Sequence, residues 1–421
     1  MNILVIGSGA REHSLCFSIS QSSQLKKLYA IPGNFGITEF AECHNLDIAD
    51  FDNIHSFSIE KKIDLIVVGP EIPLVNGIVD YFNKKNIKIF GPQESAAQLE
   101  GSKSFMKDLC REYNIPTAGY EKFDNFKDAI EFLESQSYPI VVKADGLAAG
   151  KGVTIAENFE SANDAVKDIF NNKFGEKMNV VIEEFMSGEE ASYFVCTDGL
   201  EFISLLSAQD HKRIGENDTG PNTGGMGAYS PAPIFTNEVK KQVDDEIIKP
   251  TIQAMNDKGM PFKGILYAGL MIKDGTAKLV EYNIRFGDPE CQVLMMSMKS
   301  DIVEMMLKSI EGSIDDFKIE WFEESCATVV MSTNGYPGSF KKGSIINNLD
   351  NINNDSDFHI FHAATKGSNG VVLANGGRVL SVTAKNKSLQ AALNKIYIEI
   401  EKIDWSEGYY RKDIGYRALS K

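Results

Sequence analysis

The chain has little of what marks secreted, metal-clustered or membrane-inserted proteins. Its six cysteines, Cys16, Cys43, Cys110, Cys196, Cys291 and Cys326, are scattered over 421 residues with no CxxC pair and no Cys/His cluster. That scatter argues against a disulfide framework or a zinc site and suits a reducing cytosol. No apolar run approaches the roughly 18 residues that span a bilayer, and Met1 runs straight into the apolar Ile3 to Ile6 without a basic leader. Positive charge is in deficit: 43 Lys and Arg stand against 59 Asp and Glu, a formal net charge of -16. Nucleic acid and anionic membranes are therefore poor partners, and an anionic substrate would need a local basic pocket. No Ser/His/Asp or Cys/His constellation stands out, so no side-chain nucleophile is expected.

What is present points to an α/β protein of several domains. With 43% hydrophobic residues, the chain is long enough for roughly two to four cores. The first third reads as a doubly wound parallel sheet. Its pieces are strand Ile3 to Ile6, a glycine turn, a helix from Arg11, strands Lys27 to Ile31 and Leu65 to Val68, a helix through Val79, and strand Lys88 to Phe90. An amphipathic helix, Ser102 to Tyr113, leads into a smaller α+β segment ending near Glu190. Strands Ala191 to Cys196 and Phe202 to Ala208 follow, then a helix through Asp257 and strands Ile265 to Ile272 and Ala277 to Tyr282. From Cys326 short strands and turns take over, with an Asn-rich exposed loop at Asn347 to Asp357.

The most informative stretch is Leu279 to Gln292, LVEYNIRFGDPECQ. Alternate residues of a strand share a face, so Glu281, Asn283 and, if the strand persists, Arg285 project together. A carboxylate and an amide oxygen are hard ligands of the kind Mg²⁺ accepts, and a guanidinium beside them can fork onto phosphate or carboxylate. That is a phosphoryl-transfer site in outline.

The glycine turns differ in kind. Gly7-Ser8-Gly9-Ala10-Arg11-Glu12 follows a strand and opens a helix, but Glu12 stands at the third glycine position and the second strand ends Ala30-Ile31-Pro32 without the ribose-binding carboxylate. A dinucleotide site is therefore disfavoured, while a sugar phosphate on the helix N-terminus beside Gly9 and Arg11 stays open. Gly146 to Gly152 is no Walker loop, since Gly152 replaces the metal-binding Ser or Thr. It suits a flap over ATP phosphates, with Lys143 on the strand below and Gly146, Gly150, Lys151 and Gly152 on the flap. It equally fits a plain hairpin loop. Glu183, Glu184 and Met186 close an apolar strand ahead of Glu190, where acids can meet the adenine amino group and the ribose hydroxyls. Gln209 to Pro233 is the longest irregular stretch, and Asp210 to Arg213 at its mouth are candidate substrate contacts. The methionines Met295, Met296, Met298, Met305 and Met306 read as core packing. His13 and His362 read as ordinary polar residues.

The block Arg285 to Gln292 resembles the signature of the glycinamide ribonucleotide synthetase (phosphoribosylamine–glycine ligase) family. The likeness continues in order through Gly7 to His13, Val68 to Glu71, Gln98 to Lys103, Val142 to Gly152, Glu183 to Ser192, Gln209 to Pro233, His362 to Lys366, Asn375 to Val379 and Arg411 to Gly415. The resemblance implies an ATP-grasp fold: an N-terminal substrate domain (1–101), an ATP-grasp domain (102–325) with a lid at about 117–190, and a small C-terminal domain (326–421). It also implies ATP on Lys103, Lys143, Glu183, Met186 and Glu190, and Mg²⁺ or Mn²⁺ on Glu281 and Asn283. Arg285 and Lys143 would act on the phosphoryl group, and Gly9, Arg11, Glu71 and Asp210 would meet the substrates. The implied reaction joins glycine to 5-phosphoribosylamine through an acyl phosphate, in a cytoplasmic monomer that needs no nucleic acid or membrane. One alternative is another ATP-grasp carboxylase or carboxylate–amine ligase with a different substrate, and the first discriminator is the missing biotin-attachment motif, since Met298-Lys299-Ser300 is not Met-Lys-Met. A non-catalytic nucleotide sensor is disfavoured because Glu281, Asn283 and Arg285 are all kept.

Overall fold

Three apolar runs of four to six residues, Lys27–Pro32, Asn2–Gly7 and Leu65–Val68, form the middle of a five-stranded parallel sheet; the shorter Lys88–Phe90 and an unexpected two-residue strand, Glu42–Cys43, make its edges, in the order Glu42–Cys43, Lys27–Pro32, Asn2–Gly7, Leu65–Val68, Lys88–Phe90. The computed structural model from which this architecture is described covers residues 1–147, 152–173, 178–352, 354–368 and 370–420. The chain runs outward from Asn2–Gly7 on one side and returns to Leu65–Val68 on the other. The two carboxyl ends thus frame a crevice of the kind where doubly wound sheets bind ligands. The single helix expected through Val79 is two, Glu71–Val75 and Ile78–Asn83, parted at Gly77, whose φ of +81° is left-handed.

Ser102 caps the helix Lys103–Glu112 through its Oγ, which accepts from Phe105 N at 3.2 Å. A four-stranded antiparallel sheet follows, in the order Tyr120–Phe123, Val180–Glu184, Ile140–Ala144, Val153–Ala156. Helices Phe126–Glu134 and Phe159–Phe170 cover it and share its core with Leu133, Val142, Val166 and Ile182. A second antiparallel sheet, Phe202–Ser204, Glu189–Asp198, Lys263–Lys273, Thr276–Asn283, packs into one core with the parallel N-terminal sheet. The strand expected to reach Ala208 ends at Ser204, although Leu205 N still reaches Phe194 O at 2.9 Å. The expected helix through Asp257 runs Asn237–Val243, a π turn Asp244–Ile248, then Lys249–Asp257. Pro250 has no N–H to offer, and the register slips just ahead of it. The expected methionine packing is found, since all five are buried in one core cluster. Among the described residues no helix is long and apolar enough to cross a membrane.

The stretch Gln209 to Pro233 is not irregular. Gln209–Asp210 pairs with Gly227–Ser230, and Gly227–Ser230 pairs in turn with Ser325–Thr333, so both join the C-terminal sheet through Arg378–Asn386 to Phe358–His362. Between them Arg213–Gly215 and Thr219–Asn222 make a small hairpin. Glycine-rich sequence hid these short strands, and Gly227–Ser230, which ties them to the C-terminal sheet, has its partner Ser325–Thr333 about a hundred residues away. Asp218 fastens the hairpin to the chain's end. It accepts from Arg411 Nη1 at 2.8 Å and Tyr416 OH at 2.6 Å, and it pairs with Arg417.

Burial would raise the Asp218 carboxyl, but donors from His211, Tyr416 and Arg411 and the charge of Arg417 hold it far below its ordinary 3.8. A carboxylate depressed in the folded state stabilises above its unfolded pKa and loses that contribution as the pH falls. Asp218→Asn should therefore cost about 2 kcal/mol at neutral pH. Urea unfolding should show the gap to the natural chain narrowing below pH 4 or so.

Candidate functional site

The strand Thr276–Asn283 carries one extra residue. Leu279 pairs with Leu270 but Glu281 pairs with Gly269, so Val280 is bulged out of the ladder. A bulge shifts the side-chain alternation by one. Before it Ala277 and Leu279 face the core, and after it Tyr282 and Ile284 do. Glu281 and Asn283 consequently turn to the other face. There they line a cleft of about 390 Å³ between the N-terminal sheet, the glycine loop and the C-terminal sheet.

Of the residues singled out in the sequence, Arg11, Glu71, Lys103, Gly146, Gly152, Asp210, Glu281, Asn283 and Arg285 all line this cleft. The strand ends at Asn283, short of Arg285, yet Arg285 still reaches the cleft because Glu100 holds it. Glu100 comes from the helix Glu94–Gly101 and grips the strand's end twice, accepting Ile284 N at 2.8 Å and Arg285 Nη2 at 3.0 Å. Glu71 lies 3.4 Å from Arg285 Nε on the other side. Glu100 escaped the sequence reading, as a lone acid on a helix carries no periodic signal.

Burial would raise the Glu281 carboxyl, but Lys212, Lys143, Lys103 and Arg285 outweigh it and hold the group below the ordinary carboxylate range. Among the described residues neither Glu281 nor Asn283 has a side-chain hydrogen bond, so both oxygens are free for a hard cation.

Lys143 is paired beneath the cleft. Its Nζ lies 2.9 Å from Glu183 Oε2, and the fully buried Lys107 reaches the same oxygen at 3.0 Å. Lys107 also donates to Thr117 Oγ1 at 2.8 Å, while the buried Glu183 Oε1 has no hydrogen bond among the described residues. Lys103 Nζ donates to Gly146 O at 2.8 Å and ties the helix start to the glycine loop. That loop joins the hairpin Ile140–Ala144 and Val153–Ala156, while Gly150 and Lys151 lie outside the described residues. Glu184 is exposed and accepts Gly119 N at 3.1 Å; Glu190 pairs with Lys212; Met186 is half-buried.

The turn at Gly9 already holds an anion. Glu12 Oε2 accepts Gly9 N at 2.6 Å and Oε1 accepts Arg11 Nε at 2.6 Å. A Cβ at Gly69 would fall 2.0 Å from that carboxylate. Gly9 borders a second hollow of about 590 Å³, which shares Arg11 and Asp288 with the main cleft.

His13 and His362 are not ordinary polar residues. With His359 they pack between the first helix and the C-terminal sheet, where burial pushes the pKa values of His359 and His362 down to about 4 and that of His13 well below 6.5. His13, Glu39 and His359 bring ligand atoms within 4.8 Å of one another. His13 Nδ1, however, accepts His362 N–H at 2.8 Å, which puts the neutral ring's proton on the nitrogen a metal would need. The cluster is a neutral seam between domains.

A central strand that turns an acid and an amide toward a glycine-looped antiparallel sheet and the lysines around it is the arrangement of an ATP-grasp protein. The biotin carboxylase domain of 2-oxoglutarate carboxylase from Hydrogenobacter thermophilus, solved with MgADP, has this fold. Its TM-score is 0.75 at 15% identity, over 97% of this chain and 91% of that one, a likeness of fold alone. The phosphoribosylglycinamide synthetase N domain matches residues 1–100, its ATP-grasp (A) domain 101–291 and its C domain 326–417. A phosphoribosylamine–glycine ligase of Mesorhizobium japonicum is 50% identical over 422 aligned residues, 100% of this chain and 99% of the relative. The crystal structure of phosphoribosylamine–glycine ligase from Thermotoga maritima gives a TM-score of 0.85 at 30% identity, over 98% of this chain and 100% of that one. The chain belongs to the phosphoribosylglycinamide synthetase family.

Glu183→Gln should leave two buried ammonium groups facing a neutral amide and cost about 3 kcal/mol. The denaturation midpoint should fall accordingly, and Glu184→Gln, at the exposed neighbour, should barely move it.

Proposed function

We propose that this chain joins glycine to 5-phosphoribosylamine with cleavage of ATP to ADP and phosphate, giving glycinamide ribonucleotide for purine synthesis. One observation carries this reading. In a chain that matches such ligases from end to end, Glu281, Asn283 and Arg285 reach one cleft with the acid ionised and both metal-type oxygens free.

ATP-grasp folds take ATP with Mg²⁺, and the free oxygens of Glu281 and Asn283 fit that ion; Mn²⁺ meets the same ligands. Bound there, the ion would offset charge on the terminal phosphates. Lys103 and Lys143, with Gly146, Gly150, Lys151 and Gly152, would hold the phosphates, and Glu183, Glu184, Met186 and Glu190 the nucleoside end. Arg285, braced by Glu100, would face the phosphoryl group or the glycine carboxylate. Gly9, Arg11 and Glu71 would receive the ribosylamine. A glycine carboxylate oxygen attacks the γ-phosphorus, forming glycyl phosphate and ADP. The ribosylamine nitrogen then attacks the carbonyl, phosphate leaves, and the nitrogen loses a proton. Positioning and charge stabilisation do the catalysis.

The division into 1–101, 102–325 and 326–421, with a lid near 117–190, a monomeric state and a cytoplasmic setting belong to the same proposal. Six unpaired cysteines, five of them buried, support a reducing compartment.

Glycine labelled with heavy oxygen in its carboxylate should pass one label into inorganic phosphate, with ADP as the nucleotide product. AMP, or unlabelled phosphate under turnover, would refute the acyl phosphate. Glu281→Gln should lower kcat by ~100-fold or more and weaken Mg²⁺ dependence without unfolding the chain. Full activity at saturating Mg²⁺ would retire Glu281 as a metal ligand.

A further inference from the structure

The cleft holds an acidic pair that the phosphate and metal roles leave unused. Asp210 is only 6% exposed and lines the cleft, yet among the described residues nothing hydrogen-bonds or ion-pairs with its carboxyl. Its main chain is fixed: Gln209–Asp210 is strand-paired to Gly227–Ser230, and Arg417 Nη1 donates to Asp210 O at 3.3 Å. Glu290, 3% exposed, lines the same cleft. Its Oε1 accepts Ser192 Oγ at 3.0 Å and Tyr267 OH at 2.9 Å. Burial first, then the charges of Glu290 and Glu190, push the Asp210 carboxyl up to about 7 against the pull of Lys212. Lys212 itself is paired with Glu190.

A buried carboxyl without a partner is unfavourable, and a cation placed against it relieves the cost. A divalent metal suits this pair poorly. It needs several free oxygens, and one oxygen of Glu290 already serves two hydroxyls, whereas Glu281 and Asn283 offer free oxygens elsewhere in the cleft. An ammonium group carries a single charge and three N–H donors, which a free carboxyl beside a second acid can accept. Among the reactants of the proposed reaction only glycine is a zwitterion with a fixed ammonium.

We propose that Asp210, with Glu290 beside it, seats the α-ammonium of glycine and so selects an amino acid over a plain carboxylic acid. Contact with the ammonium ionises Asp210. It also keeps the glycine nitrogen protonated, so that this nitrogen cannot compete with the ribosylamine for the acyl phosphate. The inference rests on the reaction proposed above.

The test compares the full-length natural chain with Asp210→Asn, using glycine and glycolate, in which a hydroxyl replaces the ammonium. In the variant KM for glycine should rise about tenfold or more, while KM for ATP, the Mg²⁺ midpoint and inhibition by glycolate stay within about twofold. Glu290→Gln should shift glycine in the same direction by less, and it serves should Asp210→Asn fail to fold. An unchanged KM for glycine, an equal weakening of glycolate, or a shifted Mg²⁺ midpoint would overturn the proposal. If the natural chain makes no product from glycine, the proposed reaction fails instead.

Discussion

One bulged residue, Val280, decides which face of the central strand the chemistry occupies. Without it the odd-numbered side chains would continue on the core face behind Ala277 and Leu279. Glu281 would then be buried among aliphatic side chains at a cost of several kcal/mol. With it, the strand stays anchored on both sides of the break, by Leu279 before and Tyr282 and Ile284 after. A rigid apolar side thus fixes the acid and amide on the other. Glu100 completes the arrangement from a different part of the chain, closing the end of the strand and steering Arg285.

A chain with a net charge of -16 still gathers cations around this cleft. It does so by pairing them with shared carboxylates. Glu183 serves Lys107 and Lys143 beneath it, and Glu100 and Glu71 flank Arg285. Burial depresses Lys103 and Lys107 despite their acidic neighbours, while the same local field of lysines keeps Glu281 ionised. The field over the cleft is therefore set by a few buried pairs rather than by overall composition.

The parallel sheet was legible because its strands are apolar on both faces, and Glu281, Asn283 and Arg285 stood out through spacing and resemblance together. The break at Gly77 and the π turn before Pro250 were not read, although each sits beside a residue whose backbone effect is local. What remained hidden depends on distant partners. The bulge follows from how two strands register, and Glu100, Lys107 and Glu290 gain meaning only from groups brought across the fold. His13 and His362 look unremarkable in sequence because their burial is made jointly by the first helix and the strand Phe358–His362.

The weaving of Gln209–Asp210 and Gly227–Ser230 into the C-terminal sheet bears on how the protein is made. As the chain leaves the ribosome these two strands emerge about a hundred residues ahead of Ser325–Thr333, the strand that Gly227–Ser230 must join. Until then one segment waits with unpaired backbone groups, and the central sheet can close around it first. The reverse holds for a fragment starting near Cys326. It would display the bare edge of Ser325–Thr333, which any passing strand could augment. Synthesis order and native pairing are thus out of step here, and an interval of chaperone protection is the natural companion of that mismatch.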